Sequence, residues 1–275
     1  MGRIVFGACD EASPASPSDI AGRSGNGSIA TAGLIVGDDR PILLWRHDLG
    51  AGAVLSFDRP ATGHLLYILE GTARIREGTV SAGGAIVVER GAVAEIASNG
   101  GRLMLLDFHA RNIGEEADRP GGHVHVIAPP APEGEQPDSG TRHAMFVDST
   151  CPTCSLWLDY LEFVEGYRAP LHWHTEPEII VVVGGELRVG TRSVKAGGII
   201  AIDEGARYSF SAGDGGLAFI NFRPRDPFYV PVRKGETPAA LRELDILNGF
   251  PPPAEPSWRV EAPGVDIGRG MPTYG

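Results

Sequence analysis

Residues 166–185 read GYRAPLHWHTEPEIIVVVGG and contain two imidazoles and a carboxylate that one metal ion can bind together. His172 and His174 are two residues apart, so on a β-strand both side chains project to the same face. Pro177 interrupts that strand, and Glu178 begins the apolar run that follows. An antiparallel pair of these strands would return the carboxylate to the histidines. Two neutral imidazoles and a carboxylate suit a divalent transition metal and leave coordination positions open.

The spacing of these residues resembles the first motif of the cupin superfamily, G-x5-H-x-H-x3-E-x6-G, at every motif position. The resemblance implies a small antiparallel β-barrel that holds a metal through two histidines, a glutamate and a later histidine. Residues 197–208 resemble the second motif, G-x5-P-x-G-x2-H, with Asp203 in place of the proline and Tyr208 in place of the fourth ligand. We therefore predict one divalent transition metal with three protein ligands; Fe(II) is favoured, and Mn, Ni, Zn and Cu are the alternatives.

Tyr208 stands where the fourth ligand is expected, and two roles are open for it. The charge of a bound metal ion would lower the pKa of the phenol and permit ligation or proton transfer to a substrate. Alternatively, the ring fills the space left by the missing histidine, with its hydroxyl hydrogen-bonded to Glu178 or to water. Tyr208 and Glu178 are accordingly the candidate catalytic residues.

The sequence contains the same unit twice, at an offset of 114 residues (44 to 158). Without a gap, this offset aligns turn glycines and apolar strand positions, including Leu44 with Leu158, Gly71 with Gly185, and Phe108 with Phe222. Identity at a fixed offset indicates an internal repeat. Short valine- and isoleucine-rich runs separated by glycines indicate many short strands. The prediction is an all-β chain of two tandem cupin barrels, also called double-stranded β-helices or jelly rolls.

The repeat divides the chain into five predicted segments. They are an N-terminal arm (1–29), an N-terminal cupin barrel with a degenerate site (30–110), a linker (111–140), a C-terminal cupin barrel with the metal site (141–232), and a C-terminal helix and tail (233–275). The helix is predicted after Thr237, because Pro238 suits the first helical position and Gly249 follows the last turn.

In the repeat register, the first barrel lacks the complete metal motif. His172, His174, Glu178 and Tyr208 align with Asp58, Pro60, His64 and Ala94. We therefore expect the first barrel to hold no tightly bound metal, to pack against the second, and to shape its entrance. Asp58 and His64 are the candidates for a weak site or a small ligand pocket there.

Four further polar residues are candidates for a substrate pocket. Tyr160 and Glu162 share one face of the strand before the metal loop, although alternation does not say whether that face is interior. Asn221 and Arg223 share a face of a later strand, where the guanidinium could bind an anionic substrate group. The alternative for Arg223, and for His109 at the aligned position, is a solvated residue at the barrel rim.

The three cysteines cannot all pair within one chain. Cys151 and Cys154 form a CxxC motif just before the first strand of the second barrel. Reduced thiols are the default in a reducing cytosol, and we expect them here. The alternatives are a structural metal clip that includes Cys9 or His143, and a redox disulfide.

His123 and His125, in the predicted linker, repeat the same-face spacing of the metal motif. No carboxylate follows them at the interval that separates His174 from Glu178. Chance or local hydrogen bonding is therefore the expected explanation for this pair.

The composition excludes several classes of partner. A formal net charge of −11, without a basic stripe, argues against binding to nucleic acid or to anionic membranes. The first apolar run is too short for a signal peptide, and no stretch approaches membrane-spanning length. We expect a cytoplasmic protein that binds a small-molecule substrate, and a homodimer is one possibility.

Three classes of function are compatible with these features. The favoured one is a non-haem metal oxygenase or dioxygenase, because three protein ligands leave more open coordination positions than four. The second is a redox-neutral lyase, isomerase or decarboxylase, in which Tyr208 is the acid and base. The third is a barrel protein that binds a small ligand without chemistry, as some cupins do.

Overall fold

Regular structure in the computed structural model is almost entirely β-strand. The residues described are 2–10, 13–76, 78–111, 119–129 and 141–231. Within these ranges the only helical element is a 3-10 turn at Pro17–Asp19, which confirms the prediction of an all-β fold. The helix predicted after Thr237 lies outside the described residues. None of the described residues forms a helix of the length and apolar character that a membrane crossing requires.

The N-terminal half folds into two facing antiparallel sheets. The strands up to residue 127 are β1 (Ile4–Ala8), β2 (Ser13–Ala15), β3 (Arg23–Asn26), β4 (Ile29–Ile35), β5 (Ile42–Leu49), β6 (Val54–Asp58), β7 (His64–Glu70), β8 (Thr72–Ile75), β9 (Gly78–Ser81), β10 (Ala85–Val88), β11 (Val93–Ser98), β12 (Leu103–Ala110) and β13 (Val124–Ile127). Of these, β1 belongs to a sheet of the C-terminal half. The larger sheet has the order β13-β10-β7-β12-β5-β4-β2, and the smaller has the order β3-β6-β11-β8-β9. Apolar side chains from both sheets, such as Phe57 and Leu66, fill the interior.

The C-terminal half repeats this architecture. Its strands are β14 (Thr141–Val147), β15 (Trp157–Phe163), β16 (His172–His174), β17 (Glu178–Val189), β18 (Arg192–Lys195), β19 (Gly198–Ile202), β20 (Ser211–Arg223) and β21 (Tyr229–Pro231). The large sheet has the order β1-β19-β17-β20-β15-β14, with β18 also paired to β17, and a small sheet pairs β16 with β21. Ile180, Leu187 and Phe219 are among the apolar residues that fill this second interior.

Two segments outside the predicted barrels contribute strands to them. In the predicted N-terminal arm, β1 pairs with β19 of the second barrel, whereas β2 and β3 pair with strands of the first. In the predicted linker, β13 extends the larger sheet of the first barrel by pairing with β10. The arm therefore contacts both barrels, and part of the linker belongs to the first.

The internal repeat appears in the register of the strand ladders. Leu65 lies opposite Phe108 in the pairing of β7 with β12. Ile179 lies opposite Phe222 in the pairing of β17 with β20, at positions 114 residues further along (65 to 179). The same pairs of positions thus face each other in both barrels, as a duplicated unit requires.

The two barrels pack against each other through the outer faces of their large sheets. One buried apolar cluster contains equivalent positions from both halves, including Leu65 and Ile179. The rings of Phe108 and Phe222 stack across it with centroids 5.1 Å apart. Joining equivalent faces is the arrangement of an isologous dimer, here within one chain. It explains the continuous apolar runs in β7 and β17, because both faces of these strands are buried.

Candidate functional site

The motif residues lie in the second barrel as part of one buried polar cluster, here called the barrel site. Its members are His172, His174, Glu178, Tyr208, Asn221 and Arg223, and each is less than one-tenth exposed. His172 and His174 belong to β16, and Glu178 is the first residue of β17. The structure therefore brings the three sequence-predicted metal ligands into one buried region, together with two of the four predicted pocket residues.

The strand pairing around the motif differs from the expected one. β16 pairs with β21, with His174 opposite Tyr229, and not with β17. Glu178 lies opposite Ile202 of β19. Pro177 has no N–H to donate to a continuing ladder. The chain therefore leaves the small sheet after the histidines and enters the large sheet at Glu178.

Hydrogen bonds to both oxygens hold the Glu178 carboxylate. Tyr208 Oη donates to Oε1, Asn221 Nδ2 donates to Oε2 at 2.9 Å, and Arg223 Nη2 donates to Oε2 at 2.6 Å. Burial alone would raise the pKa of Glu178, but the Arg223 charge and these hydrogen bonds lower the pKa to about 2. Glu178 is therefore an ionised carboxylate at neutral pH.

Both histidines of the barrel site are neutral at neutral pH. Burial, followed by the Arg223 charge, lowers the pKa of His174 to about 3, and burial also lowers the pKa of His172. His172 Nδ1 is 2.7 Å from the Pro170 carbonyl oxygen, to which a neutral ring donates its N–H. The Nε2 lone pair of His172 is then available to a ligand. The three donors thus have the deprotonated states that metal ligands need.

The Arg223 guanidinium lies between two of the three proposed ligands. Its Nη2 atom is 2.6 Å from Glu178 Oε2 and 3.1 Å from His174 Nε2. Arg223 is buried, which corrects the alternative that placed it at a solvated rim. Among the described residues, His172, His174 and Glu178 are not a set whose ligand atoms all lie within 4.8 Å of one another. The donor chemistry fits a cation, and in this structure the Arg223 guanidinium is the cation in contact with two of the three donors.

Tyr208 is a hydrogen-bond donor in this arrangement. Burial and the Glu178 charge raise its pKa well above the usual value, so the phenol is protonated and donates to the carboxylate. The ring centroids of Tyr208 and His172 are 4.3 Å apart. On the other side, the Tyr229 ring stacks on His172 with centroids 4.6 Å apart. Sequence reasoning did not identify Tyr229, which lies 57 residues after His172 (172 to 229) and outside both cupin motifs.

Tyr160 and Glu162 do not join the barrel site. Tyr160 packs against the apolar cluster between the barrels, and its Oη is 3.3 Å from Glu162 Oε2. Asp159, on the opposite face of β15, is buried and was missed by sequence reasoning. Burial lowers the pKa of Arg223, but the charges of Glu178 and Asp159 more than offset this effect, so the pKa is raised. The guanidinium therefore keeps its charge inside the barrel.

The first barrel contains a different polar cluster from the one expected. Asp58 is exposed and pairs with Arg59 at 3.3 Å, whereas His64 is buried, so Asp58 and His64 do not form a joint site. The partners of His64 are instead Asp107, at 3.2 Å, and His109, whose ring centroid is 4.7 Å away. His109 is buried, which corrects its placement at a solvated rim. The repeat register contained the missing signal, because Asp107 and His109 align with Asn221 and Arg223.

An arginine also compensates the buried carboxylate of the first barrel. The side chains of Arg23 and Asp107 are completely buried, with Nη2 2.5 Å from Oδ2. His47 Nε2 lies 3.3 Å from the same carboxylate. Each barrel therefore buries a guanidinium–carboxylate pair beside histidines. The two carboxylates lie on strands that are not equivalent in the repeat, and so do the two arginines.

Two groups of described residues have ligand atoms close enough to share a metal ion, all within 4.8 Å of one another. The first is His64, Asp107 and His109 in the first barrel. The second is Glu89, His125, Cys151 and Cys154, which lies between the halves of the chain. Metal binding is therefore supported at the level of donor groups.

Comparisons with known proteins identify the architecture and nothing finer. No family model and no curated protein matches the sequence. Among solved structures, pumpkin seed globulin is similar with a TM-score of 0.59 at 11% identity, over 83% of this chain and 87% of that one. The formate complex of Lactobacillus farciminis oxalate decarboxylase is similar with a TM-score of 0.59 at 13% identity, over 90% and 96%. A cupin 2 conserved barrel domain protein from Leptotrichia buccalis has a TM-score of 0.51 at 12% identity, over 73% and 90%.

Proposed function

We propose that this chain, which has the two-barrel cupin fold, is a metal-dependent enzyme that acts on a small organic anion in its C-terminal barrel. The observation that carries the proposal is the deprotonated donor set of His172, His174 and Glu178, with a cationic nitrogen already in contact with two of the three. His172 and His174, through their imidazole nitrogens, and Glu178, through its carboxylate, would hold the ion. A bound ion would activate dioxygen or polarise a carbonyl or carboxylate group.

The remaining residues of the barrel site orient the Glu178 carboxylate and add a positive charge to the site. Tyr208 and Asn221 donate hydrogen bonds to Glu178 and fix the direction of the carboxylate. Arg223 carries a buried positive charge, and a guanidinium binds carboxylates through paired hydrogen bonds. These features support a substrate with a carboxylate or a similar anionic group. The substrate class follows from Arg223, which is in direct contact with two of the proposed ligands.

The proposed reaction is oxygenation, with the metal as Fe(II). Three protein donors leave more coordination positions for dioxygen and substrate than four do. The fourth cupin position holds Tyr208, whose phenol donates a hydrogen bond to Glu178. The redox-neutral alternative is a lyase, isomerase or decarboxylase that uses Tyr208 as the acid and base. It is supported by the buried, protonated phenol beside His172.

A specific observation favours a second candidate, a bicupin that binds a small ligand without catalysis. The Arg223–Glu178 pair already neutralises the buried carboxylate, as Arg23 neutralises Asp107 in the first barrel. In this alternative the ion pair is permanent, and no metal joins His172 and His174.

Metal analysis separates the two candidates. Protein purified without added metal, and then incubated anaerobically with Fe(II), should carry one iron per chain. The His172→Ala, His174→Ala double variant should lose it, whereas the His123→Ala control, which removes a histidine outside the barrel site, should keep it. Equal iron content in wild type and double variant would favour the non-catalytic candidate. Oxygen uptake with small keto acids and phenolic carboxylates then distinguishes oxygenation from redox-neutral turnover, which proceeds without oxygen.

A further inference from the structure

Glu89, His125, Cys151 and Cys154 form a second cluster of potential ligands, here called the junction cluster. All four are buried, with at most 3% of any residue exposed. One ligand atom from each lies within 4.8 Å of the other three. The cluster is separate from both barrel interiors, since its cysteines pack in the apolar cluster between the two halves.

The four residues come from both halves of the chain. Glu89 follows β10, and His125 belongs to β13, the strand beside β10 in the large sheet of the first barrel. Cys151 and Cys154 lie in the connection between β14 and β15 of the second barrel. The junction cluster therefore joins an edge of one barrel to a loop of the other.

The interatomic distances are close to those of a tetrahedral metal site. Cys151 Sγ is 3.9 Å from Glu89 Oε1 and 4.0 Å from His125 Nε2. With Zn–S bonds of about 2.3 Å and Zn–N or Zn–O bonds of about 2.0–2.2 Å, tetrahedral donors lie roughly 3.3–3.8 Å apart. His125 Nε2 and Glu89 Oε1 are 2.6 Å apart, as a hydrogen-bonded pair. Replacing that shared proton with a metal ion requires the distance between these two atoms to increase by less than about 1 Å.

The chemistry of the donors selects the metal. Two thiolates, an imidazole and a carboxylate make four ligands, and soft sulfur donors favour Zn²⁺ over Mg²⁺ or Ca²⁺. Thr153 Oγ1 donates a hydrogen bond to Glu89 Oε1, and the backbone N–H of His123 donates to Oε2 at 2.9 Å. Such contacts orient a ligating carboxylate. The cysteines are not joined in a disulfide in this structure, so both sulfur atoms are available.

We propose that the junction cluster binds one Zn²⁺ through Glu89, His125, Cys151 and Cys154, and that this ion fastens the β14–β15 connection to the first barrel. Binding requires both sulfur atoms as thiolates and a free Nε2 lone pair on His125, so any proton on these donor atoms is released. Four protein ligands in a buried setting make a closed site with a structural role. The site is independent of the metal proposed for the barrel site.

The proposal retains the metal-clip alternative for the CxxC motif but changes its partners. His143 pairs with Asp159 at 3.1 Å. The backbone N–H of Cys9 donates to the carbonyl oxygen of Gly197, the residue before β19 of the second barrel. Neither residue belongs to the junction cluster. The spacing of His123 and His125 was attributed to chance or local hydrogen bonding, but His125 bonds to Glu89, 36 residues away in the sequence, and is the imidazole that completes the donor set.

Zinc analysis of the full chain tests the proposal. Reduced wild-type protein, incubated with Zn²⁺ and passed through a desalting column, should retain one zinc ion that the Cys151→Ser, Cys154→Ser double variant does not retain. The Cys9→Ser control should behave as wild type. The His172→Ala, His174→Ala variant should also keep this zinc, which separates the junction cluster from the barrel site. Wild-type protein without zinc, or a cysteine double variant with the wild-type amount, would overturn the assignment.

X-ray absorption at the zinc edge of the wild-type protein keeps the test decisive even if the cysteine variant does not fold. The expected spectrum has two sulfur neighbours at about 2.3 Å and two nitrogen or oxygen neighbours at about 2.0–2.2 Å. A spectrum without sulfur neighbours would contradict the proposal.

Discussion

Glu178 and Arg223 form the charged pair on which the barrel site depends. Both side chains are at most 7% exposed, and their closest atoms are 2.6 Å apart. Removing one partner of a buried ion pair leaves the other charge without compensation, which typically costs about 3–5 kcal/mol. If the donors also hold a metal, a divalent ion can replace the lost guanidinium charge. Substitution of Arg223 therefore distinguishes a structural ion pair from a metal site.

We predict that Arg223→Leu lowers the free energy of unfolding by about 3–5 kcal/mol in chelator and that a divalent metal ion restores part of this loss. Urea unfolding with EDTA and with Mn²⁺ measures both effects. The matched control is Arg168→Leu, an exposed arginine of the same barrel, which should change stability by less than about 0.5 kcal/mol. A loss that added metal does not reduce would support the permanent ion pair.

At the scale of strands, alternation predicted some features of the site and could not decide others. The two histidines of β16 are buried together, as their spacing indicated. For β15, the same rule separated Tyr160 and Glu162 from Asp159 but did not identify the interior face. Both faces of β15 pack against protein, one inside the barrel and the other toward the first barrel. The polarity difference that normally marks a half-buried strand is therefore missing.

Short edge strands were also beyond the reach of sequence patterns. β1 and β13 fall in segments predicted as an arm and a linker. An edge strand needs one partner and is held largely by backbone hydrogen bonds, which almost every residue except proline can form. Nevertheless, Phe6 of β1 packs against the interior cluster of the second barrel. The Arg192 guanidinium lies 4.5 Å from the centroid of the Phe6 ring.

We predict that Phe6→Ala destabilises the protein by about 2 kcal/mol, less than the 3–5 kcal/mol of a fully buried phenylalanine, because β1 is only partly buried. Chemical denaturation monitored by tryptophan fluorescence measures the change. Val93→Ala is the control, since Val93 is 59% exposed and should contribute little. An equal effect of the two substitutions would show that β1 does not pack as described.

For the whole molecule, the internal repeat was the most informative part of the sequence. It predicted two barrels because the repeated positions are the turn glycines and apolar strand residues that the fold needs. It could not predict the junction cluster, whose members lie at positions 89, 125, 151 and 154 and are assembled only by the packing of the two halves. Local spacing contains no signal for such long-range contacts, apart from the CxxC motif itself.

The stacked rings of Phe108 and Phe222 provide a test of the packing between barrels. Each substitution to alanine should cost about 3–5 kcal/mol, because both rings are fully buried. The double variant should be more stable than additivity predicts, by a coupling energy of about 0.5–1.5 kcal/mol for an aromatic pair in contact. Equilibrium unfolding of the four proteins gives this value. Strict additivity would indicate that the two rings do not touch.

The most direct test of the proposed function is the location of a metal ion in crystals grown with Fe(II) or Mn²⁺. An anomalous difference map should place one peak within about 2.3 Å of nitrogen atoms of His172 and His174 and of a Glu178 oxygen, with Arg223 moved away from that carboxylate. A map without a peak there, in which Arg223 still joins Glu178 to His174, would contradict the metal-dependent function.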